Sequence, residues 1–91
     1  MTAVADRFAV RVMVTDAWDQ VFLAVGPETT VAELKRQSLT RALRRATLPL
    51  DQYIVKFRGA LVQDESVTLA ALGAGANAPF IVLPGRRLPV R

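Results

Sequence analysis

The groups in this chain that could move a proton or hold a metal ion are few. Asp64 and Glu65 are adjacent, and Asp16 lies close to Asp19. Both pairs fall in turn-rich stretches with no third acid or basic partner nearby. Neither completes a metal site or an acid–base pair. The sequence has no cysteine and no histidine. That removes disulfides, thiol nucleophiles, Ser-His dyads and Cys/His zinc sites together. No glycine-rich phosphate loop occurs. No catalytic, cofactor-binding or metal-binding residue is expected, and the chain reads as a non-enzyme.

What remains is surface chemistry, in the form of arginine and exposed apolar side chains. Net charge is +4, from 12 Lys and Arg against 8 Asp and Glu. Arg41, Arg44 and Arg45 cluster on one segment, and Arg86, Arg87 and Arg91 on the last one. Such clusters serve most simply as a solvated face and a complement to a helix dipole. The alternative is an acidic partner bound with strong salt dependence. Nucleic acid is disfavoured, because no aromatic-basic motif of an RNA-binding module is present.

The elements that position these groups follow from periodicity. Residues 8–14 (Phe-Ala-Val-Arg-Val-Met-Val) alternate, as do 21–25, 53–58 and 80–83, which is the period of strands. Thr15 to Gln20 reads as a hairpin loop carrying Trp18, and Gly26-Pro27 ends the second strand. Thr30 with Glu33 three residues on has the capping-box pattern, in which hydroxyl and carboxylate each accept from a free amide. A helix is expected from there to about Ala46. Val31, Leu34, Ser38 and Ala42 trace one stripe, and Lys35, Leu39, Leu43 and Ala46 a neighbouring one. Gly59-Ala60 is a turn and Leu61-Val62 a short return strand with one side chain inward. Thr68 caps a single helical turn over Leu69–Leu72, which Gly73 ends.

The chain of 91 residues suits one domain with a modest core, folded over about 8–85 and followed by a mobile basic tail at 86–91. With 52% hydrophobic residues, disorder is not expected. Met1 to Arg7 lacks the basic start and apolar run of a signal peptide. No apolar stretch approaches the ~20 residues of a membrane helix. No membrane insertion and a cytoplasmic location are therefore expected.

Taken in order, these elements resemble the ubiquitin-like β-grasp fold. Val25, Pro27, Thr30, Val31, Leu34 and Lys35 match ubiquitin's second strand, turn and helix start. Val55, Phe57 and Gly59 match its third strand and turn, and the Leu69-to-Phe80 spacing matches that of two core leucines. The resemblance implies an α+β domain: a mixed four- to five-stranded sheet packed on one long helix, plus one short helical turn. The departures carry function. The central isoleucine of ubiquitin's recognition patch falls on Lys56. The sequence ends Leu-Pro-Val-Arg instead of Gly-Gly. Pro89, Val90 and Arg91 do not suit the narrow channel through which such tails are activated. A conjugated modifier or a sulfur carrier is therefore the disfavoured alternative. The chain is most similar to the bacterial YukD-like group, ubiquitin-like domains tied to type VII-like secretion that lack the diglycine.

In such a fold the helix covers one sheet face and leaves the other open. The alternation then places Phe22, Ala24, Arg11, Met13, Ile81, Leu83, Ile54, Lys56 and Arg58 outward, with Trp18 beside them. An apolar centre with an arginine rim and a tryptophan is the composition of a protein-binding hot spot. Met13, Trp18, Phe22, Ile54, Lys56, Arg58, Ile81 and Leu83 are the candidate contact residues, for another protein or for a second copy of the chain. The competing reading is incidental exposure, with Trp18 folded back on its own sheet edge.

Overall fold

The computed structural model describes residues 7–44 and 50–85. The elements run β1 (Phe8–Val14), β2 (Asp19–Val25), α1 (Val31–Leu43), a 3-10 turn (Leu50–Gln52), β3 (Tyr53–Phe57), β4 (Ala60–Leu61), α2 (Leu69–Leu72) and β5 (Pro79–Pro84). The five strands form one sheet in the order β2-β1-β5-β3-β4. The β1–β5 pair is parallel, and the other pairs are antiparallel. This mixed sheet with α1 laid across one face is the ubiquitin-like β-grasp fold, as the resemblance implies.

Period two divides the sheet cleanly. Val10, Val12 and Val14 of β1, Val21, Leu23 and Val25 of β2, Val55 of β3 and Phe80 and Val82 of β5 are buried on the inner face. Tyr53 and Phe57 join them, and the Phe57 and Phe80 rings stack with centroids 4.9 Å apart. Across from them α1 buries Val31, Leu34, Ser38 and Leu39 completely. Each large side chain so enclosed contributes about 1.5–3 kcal/mol relative to exposure. Truncating Leu34 to Ala, at the centre of this contact, would cost about 2–5 kcal/mol. Ser38 fits because it is small and because its hydroxyl donates to the Lys35 carbonyl at 3.0 Å.

The two helix starts hold each other. Thr30 and Thr68 both have extended backbone, and their hydroxyls accept from the Glu33 and Ala71 amides respectively. The two threonines also form an isolated antiparallel bridge. The first free amides of α1, on Val31 and Ala32, donate to the carbonyls of Val67 and Glu65. Leu69 and Ala70 of α2 donate back to Thr29 and Pro27. Helix-end amides that would otherwise need water are thus paired across the junction.

Several details differ from the sequence reading, and among them β2 begins at Asp19, inside the expected Thr15-to-Gln20 loop. The capping box forms only on one side: the Glu33 carboxylate accepts from Arg36 and from Gln37 at 2.8 Å, instead of from Thr30. Side chains one turn along the helix face offer charge-assisted partners that the cap amide cannot match. The helix ends at Leu43, with Arg44 left-handed at φ 55 and its amide closing on Thr40. The expected end at Ala46 falls outside the described residues. Leu39 is the last fully buried position, so little packing holds a further turn down. Finally, Ala60 and Leu61 make the return strand, and Val62 is the inward member of its pair. The expected basic tail, 86–91, also lies outside the described residues.

Candidate interaction face

The pairing register decides which side chains share the open face. Met13 lies opposite Gln20 on one side and Ile81 on the other. Ile81 in turn faces Lys56, and Lys56 faces Leu61. A single row, Gln20–Met13–Ile81–Lys56–Leu61, therefore crosses all five strands. Flanking rows hold Phe22–Arg11–Pro79 and Leu83–Ile54. Cross-strand neighbours of this kind stand about 5 Å apart, so these side chains form one surface.

Phe22 is 52% exposed, Leu61 47% and Ile81 37%. Met13, Ile54, Lys56 and Leu83 are half-buried, each screened by its neighbours. Ile54 is screened from a further direction by Gly85, which leaves β5 tightly against it. A methyl group at Gly85 would collide with the Ile54 side chain. Gly85 is held there by its amide, which donates to the Gln52 carbonyl at 2.9 Å. Leu61 was not among the residues singled out from sequence. Only the β3–β4 turn, which sets the register of Lys56 against it, reveals that Leu61 and not Val62 points outward.

Two candidates sit apart from the rows. Trp18 ends the β1–β2 loop, is 80% exposed and has φ 53. It does not fold back on the sheet edge. The loop beneath it is pinned: the Tyr53 hydroxyl donates to Asp16 at 2.6 Å, and Ala17 and Trp18 amides donate to Val14 and Thr15. Arg58 lies past the end of β3 with φ 54, followed by Gly59 at φ 84. Two successive positive φ values make a type I′ hairpin turn. The left-handed backbone breaks the alternation, and the Arg58 guanidinium lies over the Phe57 ring, 4.9 Å from its centroid. Arg58 is thus at the rim and not beside Lys56.

Two arginines, one on α1 and one just before β1, bond to β2. Arg41 donates to the Phe22 carbonyl at 2.6 Å, and Arg7 to the Ala24 carbonyl at 2.9 Å. Both carbonyls belong to the sheet's edge strand, which is covered in this way. Leu23, Ala24, Arg36, Gln37, Thr40 and Arg41 line a groove of about 420 Å³ between β2 and α1. A smaller recess of about 230 Å³, lined by Phe57, Leu61, Val67 and Leu72 among others, lies beside β4. Arg45, Arg86, Arg87 and Arg91 fall outside the described residues.

The acidic pairs have local duties. Besides Asp16, Asp64 accepts from the Ser66 hydroxyl and amide, and these bonds hold its carboxyl below the usual range. Glu65 is ion-paired with Lys35 at 2.7 Å. Lys35 is 5% exposed, and its ammonium also donates to the Tyr53 carbonyl at 3.1 Å. Nothing in the sequence singled out this buried pair. Among the described residues no three metal-ligating side chains come together. Nor is any helix there long and apolar enough to cross a membrane.

The fold defines the class, a ubiquitin-like β-grasp domain. Solved structures of that class superpose on it closely. Ubiquitin of Caldiarchaeum subterraneum aligns over 89% of this chain and 96% of its own, with a TM-score of 0.73 at 17% identity. A ubiquitin-like domain from an Arabidopsis thaliana protein aligns over 99% of this chain and 89% of its own, with a TM-score of 0.73 at 18% identity. A designed protein based on ubiquitin aligns over 85% and 87%, with a TM-score of 0.71 at 16% identity. By sequence, no family model matches the chain, and no curated protein does.

Proposed function

We propose that this chain is a non-catalytic protein-interaction module that docks a protein partner on its open sheet face. The observation that carries the reading is the row through Met13, Ile81, Lys56 and Leu61, flanked by Phe22, Ile54 and Leu83. Contiguous apolar surface of a few hundred Å² on a small domain marks contact sites. Trp18 adds an independent argument. A bulky residue in the left-handed region is strained by about 1–2 kcal/mol, and an 80% exposed ring returns little burial in compensation. Strain kept at an exposed aromatic is the pattern of a side chain retained for contact.

The resemblance to the YukD-like group makes a type VII-like secretion assembly the first partner to test. Tagged wild-type chain and an Ile81→Asp/Leu83→Asp variant would be recovered from the native host and their bound proteins quantified by mass spectrometry. The expected result is a discrete set of partners lost from the variant. Unchanged partners and an unchanged oligomeric state would remove the reading.

A further inference from the structure

The outward positions of the five strands carry two cations, Arg11 and Lys56, and no acid. The described carboxylates stand in turns and loops, on α1, and at the first, inward-parity position of β2. Arg11 is exposed between Phe22 and Pro79, and its one named bond is a long one, 3.4 Å to the Asn77 carbonyl. Lys56 stands half-buried between Ile81 and Leu61. Among the described residues neither cation has an ion pair. The register sets their separation. Arg11 pairs with Pro79 and Lys56 with Ile81, two residues further along β5. Two strand spacings across and two residues along put the two Cα atoms about 12 Å apart, with Pro79 and Ile81 between them.

We propose that this face takes an acidic amphipathic segment of a protein partner, one that sets an apolar side chain on Ile81 and a carboxylate on each of Arg11 and Lys56. The inference rests on the open face being the contact surface and adds the chemistry of what it binds. Charge complementarity selects the occupant. Any segment that reaches Ile81 must also cover its two cationic neighbours. A purely apolar one would strip water from both charges and give nothing back, a cost that a small contact does not repay. Carboxylates supply the missing charge, and the water excluded by the apolar centre strengthens each pair. The spacing suits regular structure: acids two turns apart on one helix face stand about 10.5 Å apart, and acids four residues apart on a strand about 13 Å. Five strands make the sheet about 20 Å across, room for one such segment. The chain's net charge of +4 draws an acidic partner in from a distance. Two cations fixed on rigid strands with aliphatic surface between them suit discrete carboxylates better than a continuous layer of lipid phosphates.

The test is a selection of random peptides displayed on phage against the full chain and against Arg11→Glu/Lys56→Glu. Wild type is expected to enrich peptides with an apolar residue flanked by Asp or Glu, and the charge-reversed chain the same pattern with Lys or Arg. The best wild-type peptide is then titrated by calorimetry over a salt series. Arg11→Gln/Lys56→Gln should weaken it about tenfold, as the loss of two exposed ion pairs gives, and added salt should weaken the wild type likewise. Arg36→Gln/Arg44→Gln removes the same net charge on the helical side and should leave binding unchanged. Selected peptides without acidic enrichment, or no selected peptide at all, overturn the inference. So does binding of the wild type, but not of Arg11→Gln/Lys56→Gln, to phosphatidylserine vesicles in place of any peptide. Peptides weakened by Ile81→Asp but indifferent to Arg11 and Lys56 overturn the acidic segment and leave the contact face standing. Peptides indifferent to Ile81→Asp/Leu83→Asp bind elsewhere and remove both.

Discussion

The Lys35–Glu65 pair gives a sharp prediction because its two ends are unequally buried. Their side chains are 6% and 25% exposed respectively. Removing Glu65 with Glu65→Ala leaves a nearly enclosed ammonium with the Tyr53 carbonyl, 3.1 Å away, as its remaining named partner. Breaking a fully buried pair costs about 3–5 kcal/mol; the partial exposure of Glu65 lowers this to about 2–3 kcal/mol. Lys35→Met instead removes the charge that is hard to bury and keeps an apolar stem. Glu65 can turn to water, and the main loss is the hydrogen bond to Tyr53, about 1 kcal/mol. The double variant should lie near Lys35→Met, giving a coupling of about 2–3 kcal/mol. A domain of this size has about 5–14 kcal/mol in all, so these differences are measurable. Urea unfolding with a slope of about 1–1.5 kcal/mol/M would show Glu65→Ala shifted down by about 2 M and Lys35→Met by about 1 M or less. Lys35→Met costing as much as Glu65→Ala would refute the burial argument.

Further perturbations probe the face and its supports. Trp18→Asn, which tolerates φ 53, should raise stability by about 0.5–1 kcal/mol while weakening partner capture; a loss of stability would mean the ring packs in solution. Gly85→Ala should cost about 1–3 kcal/mol by overpacking against Ile54, and a neutral melting temperature would deny that contact. Bonds from Arg36 and Gln37 hold the Glu33 carboxyl below its usual range. Its stabilisation is therefore present above that range and lost as pH falls through it. Glu33→Gln should flatten the acid limb of the stability profile by about 0.3–0.5 kcal/mol, the small value expected of an exposed pair. An unchanged limb in denaturation at pH 3–6 would contradict it.

Much of the fold was legible because local signals agreed with one another. Four alternating segments, Thr30 and Thr68 as caps and Gly73 as a stop all point to the same arrangement. The caps and the stop stand as read, and so do the strands apart from their ends, with Arg58 past the end of β3 and β2 starting at Asp19. The placement of Phe22, Met13, Ile81, Leu83, Ile54 and Lys56 outward followed from period two once the inner valines were assigned. What was not legible depends on partners far away in sequence. Lys35 reads as an ordinary helix lysine until Glu65 and Tyr53 arrive beside it. Arg41 reads as a dipole complement, yet its guanidinium covers the Phe22 carbonyl on the edge strand. Arg58 and Trp18 adopt left-handed backbone that neither residue type announces, because the turns and not the residues set it. The early end of α1 escaped for a similar reason: Arg44 is a good helix former, yet it takes left-handed backbone at φ 55 and closes the helix on the Thr40 carbonyl.

The central claim is that the sheet face opposite α1 is where this protein meets its partner. Site-specific photo-crosslinking in the native host tests it most directly, with a benzophenone side chain placed in turn at Phe22 and Ile81 on that face and at Thr40 and Ala71 on the helical side. Discrete adducts from Phe22 and Ile81, with none from the helical positions, are the predicted result. Adducts confined to Thr40 or Ala71 would contradict the account.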